Sequence, residues 1–189
     1  MVLTDREIQV AIENKQIVID PLPNTATAYS STSVDLTLHR YIRTWIKPKA
    51  LPGVEPVVVS PGTAGFKVLD CIKEYTDRHD ITPNGFTVEP GQFLLAYTEE
   101  TVWLPPFARI AGRVEGKSSL ARVGIGVHLT APTIHAGFTG QIQLEIFNNG
   151  SLRVKLLPGM PVCQLVFEQT LGTPAKGYSG QFLGQKAGA

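Results

Sequence analysis

The stretch from Gly112 to Arg122 contains the side chains best suited to hold an anion. Its pattern predicts a strand that runs into glycine and then into a short helical segment. Ser118 and Arg122 are four residues apart, so one helical turn places them on the same face, and free backbone N–H groups near Lys117 to Ser119 point outward. This arrangement predicts a phosphate cradle. The alternative is an ordinary loop with serine as a helix cap and arginine in solvent.

A second segment, residues 140–147, alternates strictly between apolar and polar side chains. Such alternation is typical of a strand with one buried face. Ile142, Leu144 and Ile146 therefore belong to the core, whereas Glu145 lies on the opposite face with two glutamines. A carboxylate in that position can act as a general base when another chain or a ligand covers the face. The alternative is a glutamate exposed to solvent.

Residues 127–140 join these two segments and carry His128 and His135. Neither histidine stands at a metal-ligand spacing from Cys71 or Cys163, and the sequence lacks the His-x-Glu and Pro-Cys-x-x-Cys pattern of zinc deaminases. It also lacks the glycine-rich dinucleotide motif, the Walker loop and the Gly-x-Ser-x-Gly elbow. If the chain deaminates a base, the sequence predicts that it does so without zinc.

A helix and many short strands must position these segments. The helix is predicted to begin at a capping box of Thr4 and Glu7 and to end near Asn14 and Lys15. After it, apolar or alternating runs separated by glycine and proline predict a series of strands. These strands are Tyr41–Ile46, Val57–Val59, Phe86–Glu89, Phe93–Tyr97, Arg109–Val114, Gly126–Leu129, Gln141–Phe147, Val154–Leu156 and Val162–Glu168.

This order of elements favours a mostly β sandwich or jelly roll over a βαβ fold. Residues 48–65 and 75–85 are interpreted as longer connections, and the glycine-rich residues 172–189 as a mobile C-terminal arm. The 189 residues are sufficient for one domain with a real core, so we expect a single domain over residues 1–189.

The composition limits the partners and the compartment. With 17 Lys and Arg against 16 Asp and Glu, the net charge of +1 indicates neither a nucleic-acid nor a membrane partner held by bulk electrostatics. The two cysteines fit reduced thiols better than a disulfide. The first residues show no signal peptide and no run is long enough for a membrane span, so we expect a soluble, cytoplasmic protein.

Taken together, several segments occur in an order that resembles the dCTP deaminase family of the dUTPase-like superfamily. Glu-Gly-Lys-Ser-Ser-Leu-Ala-Arg, followed further along by Gly-Phe-Thr-Gly-x-Ile-x-Leu-Glu, is the most specific combination. The resemblance covers most of the chain beyond residue 30. Its segments are residues 33–38, 112–124, 128–131, 134–145, 158–160, 164–165 and 177–185.

The resemblance implies a distorted, dUTPase-like β jelly roll with an N-terminal helix and a short helix after the Gly-Lys-Ser-Ser segment. It also implies a homotrimer with sites at subunit interfaces. Glu145 would activate the water that attacks C4 of cytosine, while Ser118, Arg122 and the Ala131 backbone position water and base. The substrate-binding residues that it implies are Lys117, Ser119, Thr130, Ala131, His135, Phe138, Tyr178, Gln181 and Gln185.

The reaction implied is deamination of dCTP to dUTP and ammonia, with Mg²⁺ bound through the triphosphate rather than by protein side chains, and without zinc. The alternatives are a bifunctional deaminase and dUTP diphosphatase, a dUTPase, and a non-catalytic nucleotide-binding module. Three positions depart from the family pattern, which has arginine at Lys117, aspartate at His135 and lysine at Gln181. These departures bear on how the sugar and the phosphates are held.

Overall fold

The structure is a computed structural model that describes residues 1–46 and 57–188. Its helices are Asp5–Glu13 (α1), Val68–Tyr75 (α2) and Ser118–Ala121 (α3). Its strands are Val18–Asp20 (β1), Tyr29–Ser30 (β2), Ser33–Trp45 (β3), Thr76–Asp80 (β4), Phe86–Val88 (β5), Phe93–Trp103 (β6), Ile110–Gly116 (β7), Ile125–Gly126 (β8), Thr133–Ile134 (β9), Thr139–Asn148 (β10), Val154–Leu156 (β11) and Pro161–Gln169 (β12). Within the described residues, no helix is long and apolar enough to cross a membrane.

The N-terminal helix follows its sequence prediction. The Thr4 N–H donates a hydrogen bond to Glu7 Oε2 at 2.8 Å, which is the glutamate half of a capping box. Ile8 and Ala11, one helical turn apart, are buried against the body of the protein. The helix ends at Glu13, as the sequence predicted to within a residue or two.

The largest sheet is antiparallel and curled, in the order β8-β10-β6-β3-β12-β7-β9. Strand β3 holds its two halves together, because its first residues pair with β12 and its later residues pair with β6. Strands β2 and β4 pair with β3, β1 pairs with β6, and β5 and β11 form a small separate sheet. This architecture confirms the predicted mostly β fold.

Apolar side chains from both halves of the sheet fill a single core. The alternation in β10 holds as predicted, since Ile142, Leu144 and Ile146 are at most 3% exposed. Burial of such side chains contributes roughly 1.5–3 kcal/mol each relative to an exposed position. The largest fully buried side chains are Ile8, Ile17, Leu36, Leu38, Ile42, Leu94, Leu104, Ile125, Leu144, Ile146, Leu156 and Phe167.

Two of the predicted elements are wrong. Val57–Val59 forms no strand, and all three valines are exposed, because β propensity without a partner strand does not make a ladder. The predicted connection 75–85 instead contains β4, whose polar sequence is extended because it pairs with Tyr41–Trp45. Of the predicted connection 48–65, residues 57–65 contain no helix or strand, whereas residues 48–56 lie outside the described residues.

The remaining elements differ from prediction mainly in length. Helix α2 was not predicted, since residues 66–74 were assigned to no element and residue 75 to a connection. Strand β6 continues from Tyr97 to Trp103, where it pairs with both β1 and β10. The predicted strand Gly126–Leu129 is reduced to Ile125–Gly126, because only these residues pair with the end of β10.

Where β3 stops pairing with β12, a buried glutamate supplies the hydrogen-bond acceptor that the ladder lacks. Their register shifts at Pro161, which has no N–H and stands opposite Thr37. Glu100, 4% exposed, accepts hydrogen bonds from the Thr37 N–H at 2.9 Å and from Thr37 Oγ1 at 2.8 Å. Burial raises the pKa of Glu100, and the hydrogen bonds from Thr37 oppose that shift.

We expect Glu100→Gln to change how stability depends on pH. The buried carboxyl binds its proton more tightly in the folded than in the unfolded chain, so its contribution is greatest at low pH. That contribution is lost as the pH rises through the raised pKa. The amide does not titrate. The free energy of unfolding of the native protein, relative to that of the variant, should therefore fall as the pH rises above about 4.5.

Urea unfolding at one fixed protein concentration measures this difference. The control is Glu13→Gln, an exposed glutamate at the end of α1. A difference between the native protein and Glu100→Gln that stays constant over this pH range would contradict the assignment.

Candidate active site

A pocket of about 240 Å³ lies where β10, residues 128–138 and the C-terminal arm meet. It brings together half of the residues that the sequence analysis singled out. These are Ala131, His135, Phe138, Glu145, Tyr178 and Gln185. The pocket also has apolar walls from the core strands, which is typical of a site for an organic ligand.

Glu145 is held by the backbone on two sides. Its N–H donates to the Val127 carbonyl at 3.1 Å, and its Oε2 accepts a hydrogen bond from the Leu129 N–H at 3.0 Å. No side chain or backbone group among residues 1–46 and 57–188 bonds to Oε1. The half-buried carboxylate therefore has one fixed oxygen and one available oxygen within the pocket. A general base needs this combination of fixed position and free acceptor.

The polar face of β10 continues beside Glu145. Gln143 also lines the pocket, and its Nε2 donates to the Tyr97 hydroxyl at 2.6 Å. Gln141, on the same face, is only 9% exposed because the arm covers it. The glutamine-rich face that the sequence predicted is therefore present, but one end of it is buried rather than open.

The C-terminal arm runs back across this end of the pocket. The Tyr178 N–H donates to the Ala136 carbonyl at 3.0 Å, and the Gly184 N–H donates to the Thr139 carbonyl at 2.7 Å. Gln185 and Gln141 exchange two hydrogen bonds, from the Gln141 N–H to the Gln185 carbonyl at 3.0 Å and from Gln185 Nε2 to the Gln141 carbonyl at 2.7 Å. The arm thus covers the pocket over several residues.

Aromatic rings fix the start of the arm. The Tyr178 ring stacks on the His135 imidazole with 5.8 Å between centroids and 12° between planes. It also contacts Phe138 in a tilted arrangement at 6.0 Å. The imidazole at position 135 is therefore part of an aromatic wall, and the structure contains no carboxylate at this position.

The other predicted residues do not line this pocket. Ser118, Ser119 and Arg122 are exposed on and after α3, and within the described residues their side chains make no hydrogen bond or ion pair. Ser118 is the first residue of α3 rather than its cap, which is Lys117. Thr130 and Gln181 are likewise exposed and outside the pocket lining.

Lys117 points into the protein. Its ammonium forms an ion pair with Asp35 Oδ2, and the two side chains are only 23% and 13% exposed. The other carboxylate oxygen, Asp35 Oδ1, is buried without a partner among the described residues. A positive charge held in this way compensates a largely buried carboxylate, so it is not free to bind an anion while the pair persists.

The pocket lining also includes His128, Gln143 and Phe182, which sequence reasoning did not assign to the site. His128 was considered only as a metal ligand and rejected, yet its imidazole lies in the wall, with Nδ1 buried and without a partner among the described residues. Gln143 could have been found, because alternation places it on the same face as Glu145. Phe182 carried no local signal, since its position depends on how the arm docks.

The described residues contain no group of three or more His, Cys, Asp or Glu side chains placed to hold a metal ion. Cys71 and Cys163 are buried free thiols. Burial also raises the pKa of the Cys163 thiol, which favours its protonated form.

Residues 2–170 match the dCTP deaminase-like family. The chain belongs to that family. It is 37% identical over 190 residues to a protein of Thermobifida fusca named "dCTP deaminase, dUMP-forming", covering 98% of this chain and 87% of that protein. It is 38% identical over 180 residues to a "dCTP deaminase" of Rhodospirillum rubrum, covering 95% and 88%.

The fold is shared with a solved structure. The 2'-deoxycytidine 5'-triphosphate deaminase of Agrobacterium tumefaciens superposes with a TM-score of 0.65 at 21% identity. The match covers 88% of this chain and 47% of that one. At this sequence identity the similarity shows the fold alone.

We expect Gly137→Ala to displace the arm. Gly137 has a φ of +94°, and a Cβ atom there would lie 2.4 Å from the Tyr178 backbone nitrogen. Left-handed strain alone costs about 1–3 kcal/mol, so the control must carry the same strain. Gly159→Ala provides it, because Gly159 has a φ of +75° and open space around its Cβ position.

Hydrogen exchange of the Tyr178 and Gly184 amides measures the displacement. Exchange should be faster by roughly tenfold or more in Gly137→Ala than in Gly159→Ala. Equal exchange in the two variants would show that contact at Gly137 does not hold the arm.

Proposed function

We propose that the protein catalyses hydrolytic deamination of dCTP to dUTP and ammonia without zinc. The observation that carries the proposal is Glu145. Its carboxylate is fixed by the Leu129 N–H and offers a free oxygen to the pocket, in a chain that belongs to the dCTP deaminase-like family. The relatives named as dCTP deaminases support the substrate.

Glu145 acts as the general base in this proposal. It accepts a proton from water while the water oxygen bonds to C4 of cytosine, and the electron pair of the C4–N3 double bond moves to N3. Glu145 passes this proton to N3, then takes the proton of the new C4 hydroxyl and gives it to the N4 amine, so that the C4–N4 bond breaks and ammonia leaves. One proton of the water ends on N3 of uracil and the other in ammonia, and the water oxygen becomes the C4 carbonyl.

The walls of the pocket supply binding and orientation. The aromatic group of His135, Phe138 and Tyr178 forms a surface for the sugar and the base, and Gln185 brings the arm over the nucleotide. Ala131 supplies backbone groups beside Glu145. Thr130, Ser119 and Gln181 stay proposed substrate contacts on the rim, since they lie outside the lining of this pocket.

A homotrimer completes the site. Ser118 and Arg122 are exposed on the α3 side of the chain and do not line the pocket, whereas the proposed chemistry needs them next to the base. A second copy that places its α3 over the pocket would bring them there and would also desolvate Glu145. A role for Lys117 at the triphosphate requires that its ammonium exchange Asp35 for phosphate.

Magnesium enters this scheme with the substrate, as the complex of Mg²⁺ with the triphosphate. Its charge neutralises phosphate oxygens and so lowers the cost of bringing the nucleotide into the pocket. Zinc independence is supported by the sequence, in which neither His128 nor His135 has a metal-ligand spacing from the two cysteines.

The bifunctional reaction, giving dUMP and pyrophosphate, is the second candidate. The name of the Thermobifida fusca relative, "dUMP-forming", favours it. His135 favours the single reaction, because the ring stacked on Tyr178 replaces the carboxylate that the family resemblance places there. A water that attacks phosphorus needs an acceptor of that kind. We therefore propose dUTP as the product.

We expect Glu145→Gln to lose deamination by at least about 100-fold while it still binds nucleotide, because the amide keeps the shape but accepts no proton. The assay incubates protein, Mg²⁺ and each deoxynucleoside triphosphate, and identifies products by mass. Calorimetry measures binding. The control is Glu89→Gln, an exposed glutamate paired with Arg153.

The outcomes separate the candidates. Near-normal turnover by Glu145→Gln would refute the role of this base. Pyrophosphate released in step with ammonia by the native protein would establish the bifunctional reaction. Binding of dCTP without turnover of any nucleotide would identify a non-catalytic binding module.

Mixing two inactive variants tests whether the site spans two copies. Glu145→Gln and Arg122→Ala should each be inactive alone. After subunit exchange, sites that combine an intact Glu145 with an intact Arg122 from a neighbour form at random, so about a quarter of native activity should return. No recovery in an exchanged, trimeric mixture would place both residues of a site on the same chain.

A further inference from the structure

The end of the described chain rests on a platform made by two irregularities in the sheet. Between Leu38 and Ile42, β3 has two more residues than the facing part of β6, so residues 39–41 bulge outward. Residues 98–100 of β6 bulge in the same way against β10. Bulges redirect side chains and are frequent beside functional sites. Here the two bulges lie side by side and face the arm.

Tyr41 is the centre of this platform. The Arg78 guanidinium, from β4, lies over the Tyr41 ring with 4.1 Å between Cζ and the centroid. The Arg40 Cζ lies 4.8 Å from the same centroid, and its Nη2 donates to the Tyr41 hydroxyl at 2.7 Å. Cation–π contact and hydrogen bonding thus hold the ring between two guanidinium groups.

Gly188, the last described residue of the arm, contacts Arg78. The Arg78 Nη1 donates to the Gly188 carbonyl at 2.9 Å. Gly188 has a φ of +85°, and a Cβ atom there would lie 2.8 Å from Arg78 Nη2 and 3.2 Å from the Tyr41 ring. A side chain at this position would therefore strain the left-handed backbone and would also require the Arg78 guanidinium to shift.

Gln141 provides a second hold on the same end. Its Nε2 donates to the Thr98 carbonyl at 2.8 Å and to the Glu99 carbonyl at 3.2 Å, both in the β6 bulge. Its Oε1 accepts a hydrogen bond from the Ala187 N–H at 2.6 Å. Because both polar atoms of this buried side chain are hydrogen-bonded, Gln141 links the β6 bulge to the arm.

We propose that the Arg78–Tyr41 platform is a latch for the C-terminal arm and that Arg78 is a positioning residue for the substrate. The arm is held at Tyr178, at Gly184 and Gln185, and again at residues 187–188, and the pocket-lining side chains of Phe182 and Gln185 lie within this span. Side chains in a segment that is held on both sides have less conformational freedom than side chains in a segment that is held on one side only. The role in substrate retention rests on the proposed function, whereas the latch does not.

Limited digestion with trypsin tests the latch without any substrate. Lys176 and Lys186 are exposed residues of the arm, and cleavage after each gives fragments of distinct mass. Arg78→Met should speed cleavage after Lys186 by about tenfold. Arg40→Met is the matched control, because it removes the other guanidinium from Tyr41 but no bond to the arm. Equal cleavage of the two variants would overturn the latch.

A variant on the arm side keeps the test valid if Arg78→Met folds poorly. Gly188→Ala should speed the same cleavage, because its methyl group overlaps the Arg78 guanidinium and disturbs the contact between Arg78 and the arm. Gly184→Ala is its control, with a similar φ of +73° and open space at the Cβ position. Faster cleavage in both glycine variants alike would assign the effect to backbone strain and refute the contact.

Kinetics with the Mg²⁺ complex of dCTP tests the positioning role. Arg78→Met should raise KM by about tenfold and change kcat by less than about twofold. Arg78→Lys should have a KM between those of Arg78→Met and the native protein. Arg40→Met should change neither constant. An unchanged KM in Arg78→Met with a freed arm would overturn the positioning role. If the native protein turns over no dCTP, the proposed function fails, and the trypsin result still decides the latch.

Discussion

The double pairing of β3 is the constraint on which the rest of the molecule depends. The first residues of this continuous strand pair with β12 and its later residues pair with β6, so the strand belongs to both halves of the curled sheet. The change of partner leaves Thr37 without a ladder acceptor, and Glu100 supplies the missing one. A buried polar group without such a partner costs about 1–3 kcal/mol, so the turn of the sheet and the burial of Glu100 belong together. One of the two bulges that face the arm, residues 39–41, lies just beyond this change of partner.

The site follows from this arrangement. Strand β10 lies next to β6, and its polar face carries Glu145 and Gln143 toward the segment that contains His135. The core side of the same strand is fully occupied by apolar side chains, which fixes the direction in which Glu145 points. Rigid strands therefore hold Glu145 and the pocket wall, while the arm covers them and α3 lies on the surface. This division separates the groups that one chain preorganises from those that the proposed second copy would supply.

Sequence patterns predicted the parts of the structure that depend on local periodicity. The alternation around Glu145 identified both the strand and its polar face, and the capping box located α1, since each signal is contained within a few residues. These patterns failed where pairing between segments distant in sequence determines the structure. Strand β4 is an example, because its polar residues are extended only where they pair with β3. Site residues were found through motif order, whereas Phe182 and the pairing of Lys117 with Asp35 depend on long-range docking that no local pattern contains.

The hydrogen bond from the Leu129 N–H to Glu145 has a consequence for how this family can vary. Its donor belongs to the backbone, so replacement of the exposed Leu129 side chain by any residue except proline leaves the donor in place. The residue type at position 129 can therefore change while the orientation of the Glu145 carboxylate stays the same. A search for a side chain that covaries with Glu145 would find no partner at this position, although the backbone contact holds the carboxylate in place.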